Sequence, residues 1–203
     1  MKIKYYSLWI PVVCVFVFIL QSFITGFTEM FLLNQDSFVE LYRFVTAIFL
    51  HGGLGHLLYN IFAIGFFGVI LEKKIGSEKF LALFLVSGIF ANIIAINFYT
   101  ASLGASGAIM GIIGTLALLK PMMLVWSFGM ILPMFLVATF WVIGDILGIF
   151  VPDNVGNIAH LAGIFFGFIY GSYLLFQKKS KKKKQDTEIP EDEMLEWEVE
   201  YMD

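Results

Sequence analysis

The sequence predicts an all-α membrane protein, a bundle of six transmembrane helices.

 Hydrophobic residues make up 59% of the 203-residue chain and charged residues only 14%, a balance far from that of soluble globular domains. The charges are confined to a few short segments, and long apolar runs separate them. Because a helix needs about 20 apolar residues to cross a hydrocarbon core of about 30 Å, the number and length of these runs indicate six spans.

The predicted helices follow one another between charged or polar boundary residues. The first apolar run lies between Lys4 and Glu29 and holds no charge. It is long, and no small-residue cleavage pattern follows it, so it does not fit a secretory signal peptide. The other runs predict a second helix within 56–72, a third and a fourth within 79–120, a fifth within 121–144 and a sixth within 154–177.

The basic residues predict the orientation of the bundle. If the N-terminus is inside and the helices alternate in direction, Arg43 is the one basic residue on the outer side. The inner segments then hold Lys2, Lys4, Lys73, Lys74, Lys79, Lys120 and the lysine cluster within 178–184. Because cytoplasmic loops carry an excess of Lys and Arg, we expect both the N-terminus and the C-terminus to be cytoplasmic.

The chain also contains a long outer loop and a charged tail. Residues 26–55 mix apolar and acidic side chains, which is typical of a segment lying partly in the membrane interface. Residues 1–177 are predicted to form a single six-helix domain. Residues 178–203 begin with lysines suited to anionic headgroups and then become acidic, so we expect a disordered cytoplasmic tail.

Ser106 is the first candidate for chemistry. It stands in the run Gly104-Ala105-Ser106-Gly107, within an uncharged stretch, 80–119, that is long enough for two spans. The apolar run breaks just before the serine, so we expect Ser106 to open the fourth helix. Backbone N–H groups and the helix dipole favour negative charge there. A hydroxyl flanked by glycines at membrane depth is either a packing device or a nucleophile.

His160 is the second candidate, and it is predicted to open the sixth helix. Both helices carry a stripe of small residues, which lets helix backbones approach closely. The stripes are Gly163, Gly167 and Gly171 below the histidine, and Gly107, Gly111 and Gly114 below the serine. A glycine stripe alone usually means simple packing. Because both stripes end in a catalytic-type residue on the same membrane side, we interpret them as bringing Ser106 and His160 together.

A serine nucleophile also needs fixed donors for the oxyanion that it creates. His56 and Asn60 stand at i and i+4 at the outer end of the second helix, so they share a face. Such a pair is also common as an interfacial cap. Asp145 ends the predicted fifth helix and Asp153 lies in the following loop. We therefore expect no carboxylate beside the histidine, and a Ser–His dyad rather than a triad.

These residues resemble the motifs of the rhomboid intramembrane serine proteases. The similarity extends over residues 5–177 and includes the order and spacing of the motifs and the six-helix topology. The run similar to the family's first loop and second helix is Arg43-x2-Thr46-x2-Phe49-Leu50-His51-x4-His56-x3-Asn60. Gly104-x-Ser106-Gly107 is similar to its nucleophile motif, and Ala159-His160-x2-Gly163 to the motif of its sixth-helix base.

The resemblance implies a role for each matching residue. The implied roles are Ser106 as nucleophile, His160 as general base, His56 and Asn60 with Gly104 around the oxyanion, and Arg43, His51, Glu72 and Gly163 as supporting residues. Met110 departs from the family pattern, because relatives often carry an aromatic residue one turn below the serine. A methionine can still contact the imidazole ring through its sulfur.

Other classes of protein fit the sequence less well. A metal-dependent membrane protein could use the three histidines, but the chain has no His-Glu-x-x-His motif. An aspartyl intramembrane protease needs paired aspartates, and the fifth helix offers only Asp145. A transporter usually carries polar residues along its helix interiors. A relative without proteolytic activity would typically have lost Ser106 or His160, and both are present.

The sequence therefore predicts a serine endopeptidase that cleaves single-pass membrane proteins within or near the lipid bilayer. The resemblance implies substrates with helix-breaking residues near the outer surface, because a packed helix hides its carbonyl groups. It also implies a prokaryotic plasma membrane, with the site towards the extracytoplasmic face. We expect no cofactor, no metal and no nucleic-acid partner, and the oligomeric state is left open.

Overall fold

The computed structural model describes residues 3–151 and 155–187 and is mostly helical. The helices are α1 (Tyr6–Phe23), α2 (Phe27–Phe31), α3 (Arg43–Thr46), α4 (Leu54–Ala63), α5 (Val69–Ile75), α6 (Ser77–Ala95), α7 (Ser106–Leu119), α8 (Met134–Gly148) and α9 (Asn157–Thr187). A π-helical segment, Ile64–Gly68, makes α4 and α5 one continuous helix. Contacts divide the chain into two compact units, Met1–Gly171 and Ser172–Asp203.

Two short antiparallel sheets accompany the helices. Strand β1 (Leu33–Asn34) of the outer loop pairs with β2 (Ala101–Ser102), which precedes α7. Strands β3 (Leu124–Ser127) and β4 (Met130–Pro133) form a hairpin between α7 and α8. The first sheet therefore ties the outer loop to the segment that leads into Ser106.

Four helices in the described part of the chain are long and apolar enough to cross a membrane. They are Tyr6–Phe23, Leu54–Ile75, Ser77–Ala95 and Asn157–Lys181. Helices α7 and α8 are apolar but shorter. Each of the six predicted apolar runs overlaps one of these six helices.

The predicted fifth helix, 121–144, is wrong over its first half. The β3–β4 hairpin occupies that half, and α8 begins only at Met134. Phe128 and Gly129 make the two-residue turn with φ values of 53° and 78°, and positive φ at both positions is what the tight hairpin turn requires. Pro133 then stands in extended backbone before α8, and it has no N–H to continue a helix backwards.

Helix α7 lies at the centre of the bundle. Every residue from Gly107 to Ala117 is buried. A Cβ at Gly111 would overlap the Ser87 side chain of α6, and it would stand 3.5 Å from the carbonyl oxygen of Gly163 in α9. Small residues on α7 thus allow α6 and α9 to pack against it from two sides.

Glu72, near the end of α5, connects three helices at the end of the bundle where α1 begins. Its buried carboxylate accepts hydrogen bonds from the backbone N–H groups of Tyr6 and Ser7 at 2.9 and 2.8 Å. It also accepts bonds from the hydroxyls of Ser7 and Ser77 at 2.7 and 2.6 Å. One carboxylate thereby satisfies free N–H groups at the start of α1 and links α1 and α6 to α5.

Helix α9 continues beyond the predicted end of the sixth helix. The structure has residues 178–187 in this helix, although they belong to the tail for which we expected disorder. Helix-forming lysines follow the apolar segment directly, and no glycine or proline interrupts them before Pro190. The rest of that tail, 188–203, lies outside the described residues, and so does Asp153.

Candidate active site

The first turns of α7 and α9 lie side by side. Ser106 is the first residue of α7, as the sequence predicted, and His160 lies in the first turn of α9. A Cβ on Gly107 would stand 3.6 Å from the carbonyl oxygen of Ala159, and a Cβ on Gly163 would overlap the carbonyl oxygen of Gly107. The residue after the serine thus lies close to the residue before the histidine, and its backbone packs directly against Gly163.

The same contact continues down both helices. A Cβ on Gly167 would overlap the carbonyl oxygen of Gly111. The Thr115 hydroxyl of α7 donates towards the carbonyl oxygens of Gly167 and Gly111 at 3.0 and 2.9 Å. The predicted packing of the two glycine stripes is confirmed, and the two backbones meet without intervening side chains.

Gly104 allows the ring of His56 to lie against the backbone that leads into Ser106. Its φ is +126°, and a Cβ there would stand 2.7 Å from Cε1 and 2.9 Å from Nε2 of His56. The Gly104 N–H donates to the carbonyl oxygen of Ala47 at 2.8 Å. Nδ1 of His56 accepts from the Gly52 N–H at 3.5 Å, which assigns the ring proton to Nε2. A ring N–H donor therefore stands beside this loop.

Asn60 lies one turn below His56 on the same face of α4, as predicted. Its amide nitrogen donates to the His56 carbonyl oxygen at 2.8 Å, which uses one of its two N–H groups. The side chain is fully buried, and its Oδ1 has no hydrogen-bond partner among the described residues. A cap at the membrane interface would be wet, so the burial of Asn60 argues against the interfacial-cap interpretation.

His51 lies in the loop before α4, and its side chain is buried. Its backbone N–H donates to Gln21 Oε1 at 3.0 Å, and its carbonyl oxygen accepts from Gln21 Nε2 at 3.2 Å. Ring atom Nδ1 lies 3.2 Å from the carbonyl oxygen of Phe49, and the ring is edge-on to His56 with centroids 5.1 Å apart. Burial, and secondarily the charge of His56, lowers the pKa of His51 to about 4.

This pKa predicts an acid-sensitive fold. The unfolded chain protonates His51 near pH 6.5, whereas the folded chain resists protonation until about pH 4. The contribution of His51 is therefore fully present above pH 6.5 and is lost as the pH falls towards 4. We expect His51→Gln to make the thermal unfolding midpoint in detergent less dependent on pH between 6.5 and 4. Parallel curves for the variant and the wild type would contradict this.

Arg43 fastens the outer loop. Its side chain is buried, and Nε donates to the Glu40 carboxylate at 2.5 Å. Its Nη1 donates to the carbonyl oxygens of Glu29 and Leu32 at 2.7 and 3.0 Å. The guanidinium beside Glu40 lowers the pKa of that carboxyl below its ordinary value. Arg43 thus links separate parts of the loop.

Helix α8 gives His160 two partners that the sequence analysis missed. Nδ1 of His160 lies 2.9 Å from Oδ1 of Asp145, so the expectation that no carboxylate stands beside the histidine is wrong. Trp141, one turn earlier on the same face, lies edge-on to the imidazole with ring centroids 6.2 Å apart. Met110, where relatives often have an aromatic residue, is buried within α7.

The position of α8 along the chain explains the correction. Because the hairpin delays the start of this helix, α8 ends at Gly148 and Asp145 lies inside its last turn. There it is level with the first turn of α9. A signal was present in the sequence, because Asp145 is the one charged residue between Lys120 and Asp153. An isolated carboxylate in an apolar helix requires a polar partner.

Aromatic contacts connect α8 to α4 and to the hairpin. Tyr59 of α4 packs against Trp141 with ring centroids 6.2 Å apart. The hairpin places Trp126 against Phe62 of α4 at 6.4 Å and Phe128 against Trp141 at 5.6 Å. Trp141 therefore contacts α4, the hairpin and His160 at once.

Within the described residues, no group of three or more His, Cys, Asp or Glu side chains is arranged to hold a metal ion.

Apolar helices long enough to cross a membrane are typical of an integral membrane protein, and two apolar helices of this chain begin side by side with a serine and a histidine in their first turns. Comparison with known proteins gives the family. Residues 39–177 match the family model described as the Rhomboid domain, and the chain belongs to the rhomboid family.

Curated relatives agree with this assignment. The chain is 34% identical over 143 residues to "RHOMBOID-like protein 6, mitochondrial" of Arabidopsis thaliana, covering 70% of the chain and 46% of that protein. It is 33% identical over 150 residues to "Putative rhomboid protease YdcA" of Bacillus subtilis (strain 168), covering 70% of the chain and 71% of that protein. It is also 33% identical over 140 residues to "Rhomboid protease GluP" of the same organism, covering 66% and 26%. The chain spans about half or less of the length of its Arabidopsis relatives.

Proposed function

We propose that this protein is a serine endopeptidase that cleaves single-pass membrane proteins within or near the bilayer. Ser106 is the nucleophile and His160 is the general base. The observation that carries the proposal is the close approach of Gly107, the residue after the serine, to Gly163, which lies one turn below the histidine. The similarity to proteins named as rhomboid proteases supports the reaction class.

The proposed chemistry starts at the N-terminus of α7. His160 takes the Ser106 proton as the hydroxyl oxygen attacks the scissile carbonyl carbon. The resulting oxyanion needs preorganised donors. The Nε2–H of His56, the second amide N–H of Asn60 and the backbone N–H of Ser106 are the groups that we assign to it. The dipole of α7, whose positive end lies at Ser106, favours the same negative charge.

The proposal includes six transmembrane helices with both termini in the cytoplasm. The chemistry-bearing residues support it, because His56, Ser106 and His160 all lie near the starts of α4, α7 and α9. Lysines lie at the opposite ends of the same bundle, with Lys73 and Lys74 at the end of α5, Lys79 at the start of α6 and Lys120 just after α7. The positive-inside bias then directs the site outwards.

The proposed substrate is a single-pass protein whose transmembrane segment unwinds near the outer surface. A packed helix hides its carbonyl groups, and only an unwound segment can present one to Ser106. The similarity to the Bacillus protein YdcA over 71% of its length supports a prokaryotic plasma membrane as the location. No cofactor enters this mechanism.

Labelling with a fluorophosphonate tests the proposal directly. In detergent, we expect a fluorescent fluorophosphonate to label the wild type, because it reacts with activated serine hydroxyls. Ser106→Ala should remove the label entirely. Ser102→Ala is the matched control, since Ser102 lies on β2 just before the same loop, and it should be labelled like the wild type. Equal labelling of the wild type and Ser106→Ala would overturn the assignment of the nucleophile.

A further inference from the structure

Asp145 is a buried carboxylate that the proposed Ser–His chemistry does not use. It lies near the end of α8 and is 3% exposed, and His160 is 7% exposed. Its Oδ1 lies 2.9 Å from Nδ1 of His160, and its Oδ2 has no hydrogen-bond partner among the described residues. Burying a carboxylate oxygen without a hydrogen-bond partner costs free energy. The presence of Asp145 beside His160 therefore needs an explanation.

The contact with an ionised Asp145 assigns the ring proton of His160 to one nitrogen. A carboxylate accepts and cannot donate when it is ionised, so Nδ1 must be the protonated nitrogen. Nε2 then keeps its lone pair, which is the form that a general base needs. In the opposite tautomer, Nε2 already carries a proton and could not accept another one from Ser106.

We propose that Asp145 is the positioning residue of the base: it holds His160 in the Nδ1–H tautomer and stabilises the imidazolium that forms during attack. This inference rests on the proposed function. In the step, the Ser106 proton moves to Nε2 while the hydroxyl oxygen bonds to the scissile carbon, whose π pair moves onto its oxygen. Asp145 stays ionised throughout, as the carboxylate of a Ser–His–Asp triad does.

The inference also gives α8 a role in the chemistry, although this helix carries no reacting atom. Trp141 and Asp145 are one turn apart, and both face the imidazole ring. Trp141 in turn packs on Tyr59 of α4. The orientation of the base therefore depends on how α8 is docked, and a displacement of α8 would remove the carboxylate and the indole together.

Asp145→Asn tests the inference, because it keeps the size of the side chain and removes its charge. We expect kcat on a membrane-anchored substrate to fall by about 100- to 10,000-fold with KM nearly unchanged. Without the carboxylate the imidazolium is less stable, so the acid limb of the kcat/KM profile should move to lower pH. His56 interacts electrostatically with His160, and Tyr59 with Asp145, and both residues are unchanged in the Asp145→Asn variant. Asp36→Asn, an exposed carboxylate of the outer loop, should leave both readouts unchanged.

Asp145→Glu separates positioning from packing. It restores the charge on a longer side chain, so a positioning role predicts more activity than Asp145→Asn and an acid limb near that of the wild type. A merely structural role predicts the opposite order, because the extra methylene overpacks a buried site. Failure of both variants to fold, or an Asn variant with wild-type kcat and pH profile, would overturn the inference. If the wild type itself neither cleaves nor takes up fluorophosphonate, the proposed function fails instead.

Discussion

Ser106→Ala and His160→Ala should each reduce cleavage of a membrane-anchored test substrate to the uncatalysed background. In serine hydrolases whose residues act as a unit, such losses are on the order of 10⁶-fold in kcat. Without the Ser106 hydroxyl no acyl intermediate can form, and without His160 the serine proton has no acceptor. Cleavage by purified protein in detergent or proteoliposomes, followed by gel, measures the effect.

The double variant and a chelator complete this experiment. Ser106→Ala combined with His160→Ala should be no worse than either single change, because each already removes the whole mechanism. Ser102→Ala should cleave at the wild-type rate. EDTA should leave the wild-type rate unchanged. Activity that disappears with EDTA and returns with zinc would favour the metal-dependent alternative, and additive losses in the double variant would mean that the residues act separately.

The sequence predicted the approach of α7 to α9 because local patterns determine it. Gly163 and Gly167 recur at a helical spacing that places them on one face, and the structure shows both against carbonyl oxygens of α7. The break before Ser106 likewise predicted the start of α7. Such features depend on neighbours in the chain, so they can be derived before any tertiary contact is known.

The contacts of α8 depended on information that hydropathy does not carry. The residues from Leu124 to Pro133 are as apolar as those of a membrane-spanning helix. Only the Phe128-Gly129 turn and Pro133 indicate a hairpin. The predicted fifth helix ended at 144, before Asp145, so the sequence analysis did not place this carboxylate on the helix turn that faces the base. The hydrogen bond between Asp145 and His160 joins residues 15 positions apart on different helices. Only tertiary packing brings these two side chains together.

Gly163→Val should reduce cleavage by about 100-fold or more, although it changes no reacting atom. A Cβ at this position would overlap the carbonyl oxygen of Gly107, and a carbonyl of the backbone cannot rotate away as a side chain can. The first turn of α9 must therefore move away from α7 and carry His160 with it. A displacement of about 1 Å between reacting groups can cost about 100-fold in rate. Gly167→Val should act in the same way, because its Cβ would overlap the Gly111 carbonyl oxygen.

Two control variants separate the loss of the glycine contact from the general effect of changing a residue in an apolar helix. Gly144→Val makes the same change in α8, where a Cβ would meet nothing within 4 Å, so its rate should stay near that of the wild type. Phe165→Ala alters α9 at a side chain that is 57% exposed, and its effect should be mild. Thermal midpoints in detergent identify any variant that has lost its fold. If Gly163→Val, Gly144→Val and Phe165→Ala are tolerated equally, the glycine contact does not set the approach of serine and histidine, and the proposed geometry of the site is wrong.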